Sequence, residues 1–230
     1  MTTISAVIPV KNVEKIIRGT IDSLWFCKEV ILVDMYSTDK TKEIATSYPN
    51  VKFFEKNGYI FENFNFGMEQ ATSEWIIRMD SDERLSPELQ EEILKTVASN
   101  PTENVFTAPY YSYFVGKSML HGGKFQTREV LFKKGSLAYP VRSEHEAIAP
   151  LPGVTIKSGE LKGAYLHFSC PSIKKYIDKI KIYWQNTALP LRLTYKNKKS
   201  TLQKCYNLLF NSLLAPKGFV FCEVPRNILQ

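Results

Sequence analysis

Two carboxylates one residue apart, Asp80 and Asp82, end the apolar run Trp75-Ile76-Ile77, with Glu83 directly behind them. Aspartate is a poor strand residue, so a pair of them stopping an apolar run calls for a reason. One reason is a strand-end turn that leads into a helix starting near Ser86-Pro87. The other is chemical: paired carboxylates bind a hard divalent cation, and such a cation can hold a diphosphate. The three residues Asp80-Ser81-Asp82 fit both readings. Asp34 closes a second apolar run, Val30-Ile31-Leu32-Val33, and His167 stands at the end of another, Leu161 to Phe168. Arg142-Ser143-Glu144-His145-Glu146 is a polar cluster between Pro140 and Ile148, and His121 lies beside the pair Gly122-Gly123.

The elements that must position these groups follow from the apolar pattern. Ile4 to Val10 reads as a strand buried on both faces, with Pro9 near its end, where a missing N–H is tolerated. Glu14 to Leu24 carries Ile16, Ile17, Ile21 and Leu24 on one helical stripe. Ser37 to Thr41 offers capping residues for a helix with Ile44 and Ala45, Val51 to Phe54 is a third strand, and a helix follows around Asn63 to Ala71. Strand–helix alternation with continuous apolar strands predicts a mostly parallel twisted sheet with helices on both faces, Rossmann-like in class. In such sheets ligands collect at the carboxyl ends of the strands, so Pro9 to Asn12, Asp34 and Asp80 to Asp82 should meet in one crevice. After a helix over Pro87 to about Ala98 the alternation stops. Val105 to Tyr110 and Glu129 to Phe132 predict antiparallel additions in the second half.

Composition narrows the class. The chain has 230 residues, 44% hydrophobic and 23% charged, as in an ordinary globular protein. No apolar run approaches the roughly 20 residues of a bilayer crossing. The opening Met1-Thr2-Thr3-Ile4 has no basic region or small-residue cleavage site, and the four cysteines show no Cys-x-x-Cys spacing, so a reducing, cytoplasmic setting is expected. There is no Gly-x-Gly-x-x-Gly after the first strand and no Gly-Lys-Ser/Thr loop, which argues against dehydrogenase and P-loop chemistry. The net charge of +7 is concentrated between Pro171 and Lys204, where eight lysines and Arg192 face Asp178 alone. That segment implies an anionic partner or a solvated face.

These residues resemble the family 2 glycosyltransferases, which have a nucleotide-diphospho-sugar-binding fold and an Asp-x-Asp motif. Val7-Ile8-Pro9-Val10-Lys11-Asn12 is similar to the family's opening strand, Val33-Asp34 with Ser37-Thr38-Asp39 to its second-strand motif, and Asn65, Ala71 to Trp75 and Met79 to Glu83 to the segment running into its metal site. The pair His145-Glu146 and the later His167-Phe168-Ser169 resemble the bacterial lipopolysaccharide-core and capsule group. The resemblance implies a catalytic domain over 1–170, with a nucleotide-binding half 1–100 and an acceptor half 101–170, followed by a basic, amphipathic, helical extension over 171–230. It implies a nucleotide-diphospho-sugar donor, with a UDP-sugar expected, and Mg2+ or Mn2+ as cofactor. Asp82 would be the metal ligand, Asp80 would face the ribose or a metal-bound water, and Ser81 would lie along the phosphates. Asp34 would accept from the base or ribose, unless it is only a strand-end cap. Pro9 and Val10 would line the nucleotide pocket and Asn12 would support it.

An inverting transfer needs a base for the acceptor hydroxyl, and Glu146 is the candidate, with Glu144 in reserve. Alternatively both are surface charges paired with Arg142. His167 either completes the metal shell or is a hydrogen-bonded core residue. The basic segment, with Ile173, Tyr176, Ile177, Ile180, Tyr183 and Trp184 on one stripe, predicts either a helix resting on the anionic inner face of a membrane beside a glycan or lipid-linked acceptor, or a homodimer interface. Its aromatics sit at helical spacing, which suits packing and not base stacking, so no nucleic-acid partner is expected. A non-catalytic nucleotide-sugar-binding or membrane-scaffolding module, and a sugar-phosphate nucleotidyltransferase, are the competing readings.

Overall fold

The computed structural model describes residues 3–115, 117–118, 126–140, 147–170, 172–174 and 177–178. In chain order the elements are β1 (Ile4–Val10), α1 (Ile17–Asp22), β2 (Glu29–Asp34), α2 (Thr41–Thr46), β3 (Val51–Glu55), α3 (Ile60–Gln70), β4 (Trp75–Arg78), β5 (Glu83–Leu85) and α4 (Pro87–Ala98). There follow β6 (Val105–Phe114), β7 (Lys117–Ser118), β8 (Gln126–Lys133), β9 (Leu137–Ala138), β10 (Ala149–Pro150), β11 (Ser158–Glu160) and β12 (Tyr165–Cys170). Two compact units result: residues 1–111 with 126–167, and residues 112–125 with 168–230.

Strands β3, β2, β1 and β4 pair in that order, all parallel. Both faces are buried because successive residues feed two separate cores. Ala6, Ile8, Val10, Val30, Leu32 and Ile77 join Ile17, Ile21, Ala45, Leu89 and Ile93, from α1, α2 and α4. Their neighbours Val7, Ile31, Val33 and Ile76 join Phe64 and Met68 of α3 on the other face. The period-2 alternation of a strand thus explains why these runs carry no polar face. Helix α3 lies close to the sheet: a methyl group on Gly67 would stand 2.4 Å from Val7 Cγ1.

Beyond β4 the sheet continues through β8, β6 and β12 to β5, with β8 antiparallel to β4 and to β6, and β5 antiparallel to β12. This order forces curvature. Strands β4 and β5 are consecutive in the chain, yet three strands lie between them. Flat, that separation would be about 19 Å, whereas the chain from Arg78 to Glu83 reaches roughly 17 Å at full extension. The sheet must curl so that β4 and β5 approach, and the acidic turn lies at that point.

The antiparallel additions match expectation. Strand β5 is an addition to the predicted elements: Asp80 to Asp82 lead into a three-residue strand before Ser86 caps α4 by accepting from the Leu89 N–H at 3.3 Å. Helix α1 starts at Ile17, later than the predicted Glu14, after a turn in which the Val13 carbonyl accepts from both Ile16 and Ile17. The last strand begins at Tyr165 and not at Leu161, whose N–H is taken by Thr107 O at 2.8 Å. Among the described residues no helix is long and apolar enough to cross a membrane.

Candidate active site

The parallel order brings the carboxyl ends of β2, β1 and β4 to one edge of the sheet. Pro9 and Val10 are buried at the end of β1, in register with Val33 and Asp34. The pairing of β4 with β1 stops at Val7, so the absent N–H of Pro9 breaks no ladder bond there. Beyond the two strand ends, the β1–α1 and β2–α2 loops are laced together. Asn12, at φ 52°, donates its N–H to Ser37 Oγ at 2.8 Å and accepts the Thr38 N–H on Oδ1 at 2.8 Å. Val13 N–H donates to Thr41 Oγ1 and Glu14 N–H to Asp39 Oδ2, at 2.9 and 3.1 Å. Asp34 is 1% exposed, and each of its carboxylate oxygens accepts from Ser37, one from the N–H and one from the hydroxyl. Asp34 therefore caps the end of β2.

The acidic turn at the end of β4 is braced from below. Met79 N–H donates to Val7 O, Thr20 Oγ1 donates to Ser81 O at 2.6 Å, and Arg84 donates to Ile16 O at 2.8 Å and to Thr20 Oγ1. Its two aspartates have different neighbours. Asp80 Oδ2 lies 3.5 Å from Arg78 and 3.2 Å from Arg128. The Arg78 guanidinium is 5% exposed, lies against the rings of Phe64 and Tyr139, and is held charged by Asp80 despite its burial. Asp82 Oδ1 lies 3.5 Å from His167 Nε2. The His167 ring is backed by Tyr110 at a centroid distance of 5.2 Å, and its buried Nδ1 has no hydrogen-bond partner among the described residues. Asp80, Asp82 and His167 side chains are 29%, 23% and 19% exposed, so a ligand can reach all three.

Sequence reasoning missed Glu83. It is fully buried, and each strand between β4 and β5 supplies one partner to its carboxyl group. Tyr110 of β6 donates to Oε1 at 3.1 Å, Arg128 of β8 donates to the same oxygen, and Tyr165 of β12 lies 2.9 Å from Oε2. The Asp80 N–H also donates to Oε2, at 2.6 Å. Burial pushes the Glu83 carboxyl well above the usual carboxylate range, and the Asp80 charge adds to this against the opposing pull of Arg78. Burial and the Glu83 charge likewise push the Tyr110 and Tyr165 hydroxyls up, so both remain donors. The only sequence signal for Glu83 was a third acid behind the pair, because its side-chain partners lie 27 to 82 positions away.

Asp82 and His167 thus stand together, and a divalent cation placed between them would take an oxygen and a nitrogen ligand from the protein. Among the described residues there is no cluster of three or more potential ligands, so such an ion would depend on donor oxygens and water for the rest of its shell. Glu146, its reserve Glu144, His145, Arg142 and His121 lie outside the described residues, as does most of the basic extension.

Residues 5–150 match the family model for glycosyl transferase family 2. The lipopolysaccharide core biosynthesis glycosyltransferase LpsC of Rhizobium meliloti (strain 1021) is 28% identical over 173 residues, covering 72% of this chain and 63% of that protein. An uncharacterized glycosyltransferase of Rickettsia bellii (strain RML369-C) is 31% identical, covering 95% of this chain and 78% of the relative. Among solved structures, S. aureus TarS 1-349 in complex with UDP-GlcNAc has a TM-score of 0.51 at 17% identity, covering 91% of this chain and 73% of that one. At that identity the likeness concerns the fold. With the curled α/β sheet and the match over residues 5–150, the chain belongs to glycosyl transferase family 2.

Proposed function

We propose that the chain is a metal-dependent inverting glycosyltransferase that moves one sugar from a UDP-sugar to a hydroxyl of a surface-glycan or lipid-linked acceptor. The observation that carries this reading is the pairing of Asp82 with His167 at the carboxyl edge of the parallel strands, beside the rim formed by Asn12 and Asp34. TarS, of the same fold, binds UDP-GlcNAc, and LpsC acts in lipopolysaccharide core biosynthesis, which favour this donor and acceptor class.

In this reading Asp82 and His167 hold a divalent ion, and the nitrogen donor suits Mn2+ better than Mg2+, which prefers oxygen ligands. When bound, the ion offsets the charge that grows on the diphosphate as the glycosidic bond breaks. Asp80 orients the ribose or a metal-bound water, held in place by Arg78 and Arg128. Ser81 lies along the phosphates. Pro9, Val10 and Asn12 shape the nucleotide pocket, and Asp34 accepts from the nucleoside with lone pairs that Ser37 leaves unused. Glu146 takes the proton of the acceptor hydroxyl as its oxygen bonds to the anomeric carbon and the nucleoside diphosphate leaves. The basic residues between Pro171 and Lys204 bring the enzyme to the anionic inner face of a membrane.

A panel of nucleotide sugars, screened for Mn2+-dependent thermal stabilisation and slow donor hydrolysis, tests the reading. UDP-sugars should stabilise the protein only with metal present, and failure of every donor to do so would remove it. Asp82→Ala should abolish the metal-dependent shift, whereas Glu146→Gln should keep donor binding and lose transfer.

A further inference from the structure

Two non-glycine residues at the carboxyl rim have left-handed backbone, Asn12 at φ 52° and Tyr36 at φ 56°. Asparagine enters that region readily, but a bulky aromatic does not. The surrounding bonds hold Tyr36 there. Asp34 fixes the Ser37 N–H and hydroxyl, Ser37 accepts from Asn12, and Asn12 accepts from Thr38, so the residues on both sides of Tyr36 are pinned. The ring adds nothing to the fold that would explain this. It is 56% exposed, and among the described residues it makes no hydrogen bond or ring contact. Glycine would satisfy the backbone at no steric cost. A strained residue held in place by its surroundings, with its side chain in solvent at a ligand-binding edge, points to a contact made by a ligand.

We infer that Tyr36 is the stacking platform for the base of the nucleotide donor. This rests on the proposed function, and position selects the base over the other parts of the donor. Tyr36 follows β2, and the strand order places β2 two strands from β4. Two strand spacings amount to about 10 Å, too far for a ring to touch a diphosphate held at Asp82. A nucleoside extending from that diphosphate across β1 brings its base to the end of β2. The phenyl face of tyrosine serves this role without a hydrogen bond, so the platform accepts a base by its π-surface, and selection among bases falls to Asp34 and its neighbours.

The test compares wild type, Tyr36→Gly and Tyr36→Phe in the full chain. Calorimetric titrations with UDP and with inorganic pyrophosphate, both with Mn2+, are set beside thermal melts. Tyr36→Gly relieves the backbone, so its Tm should equal or exceed that of wild type. Its UDP affinity should fall by about 10-fold, within the range of lost base–aromatic stacking, while pyrophosphate affinity stays unchanged. Tyr36→Phe should bind UDP within about 2-fold of wild type, since the face is kept. Unchanged UDP affinity in Tyr36→Gly would overturn the platform and leave the glycosyltransferase reading intact. Equal losses of UDP and pyrophosphate would also overturn it, by showing that the phosphate end had moved. Binding of neither ligand by wild type would remove both readings together.

Discussion

Asp80, Asp82 and Glu83 lie within four positions, and the fold gives each a different task. Asp80 sits between two guanidiniums, Asp82 faces His167, and Glu83 is sealed inside the curl of the sheet. The sequence shows three acids and the end of a strand, from which the Asp82 reading could be drawn. It cannot show that Tyr110, Arg128 and Tyr165 converge on the third acid, because that depends on strands far along the chain coming together. Glu83→Ala would remove the acceptor shared by Arg128, Tyr110 and the Asp80 N–H, while Tyr165 keeps the Arg78 carbonyl, and should lower stability by about 3–5 kcal/mol. Tyr165→Phe, which removes one hydroxyl, should cost only about 1–2 kcal/mol. Denaturant midpoints of the two variants give these values, and equal small losses would mean that Glu83 is not the hub of the turn.

At the scale of elements, the parallel half was readable because its strands are apolar on both faces and its helices carry stripes. Strand β5 was not, since three residues with a half-buried Arg84 between Glu83 and Leu85 show no distinctive pattern. Nor was the tie at the opposite end of the sheet. Glu29, buried at the start of β2, accepts from Ser5 of β1 and from the Thr72 N–H and hydroxyl before β4, and pairs with Lys52 of β3 at 2.5 Å. One carboxylate thus ties β1, β2 and β3 to the turn that leads into β4. Burial works to raise its pKa, but Lys52, Ser5 and Thr72 outweigh this and lower it to about 2. A depressed pKa stabilises the fold above the unfolded-state value and is lost as pH falls through the folded one. Stability should therefore decline between about pH 5 and pH 2, by on the order of 2–3 kcal/mol from this group. The difference in unfolding free energy between wild type and Glu29→Gln, measured across that window, should shrink as pH falls. A constant difference would place the acid sensitivity elsewhere.

Over the whole molecule, the family and the parallel core were legible from the order of apolar runs and acidic strand ends, whereas the curvature was not, because it follows from which strands pair. Charge distribution is a property of the sequence alone. With the basic excess gathered between Pro171 and Lys204, the protein should sediment with anionic vesicles at low salt and be released as salt screens the attraction. Absence from the vesicle pellet at every ionic strength would remove the membrane surface as a partner. The strand order also sets a timetable for folding. Every acid of the turn has been synthesised by residue 83, and β1, β2 and β4 can pair soon afterwards. Strand β5 has no partner until residues 165–167 of β12 arrive, and Glu83 collects its tyrosine and arginine donors from β6, β8 and β12 only as those strands dock. Pairings between segments so distant in sequence are among the last and slowest to form. The nascent chain therefore carries its acidic motif through the addition of 84 further residues, from 83 to 167, before the turn has its full set of partners, and under the proposed function the competence to bind a metal-linked diphosphate arrives with the end of the sheet.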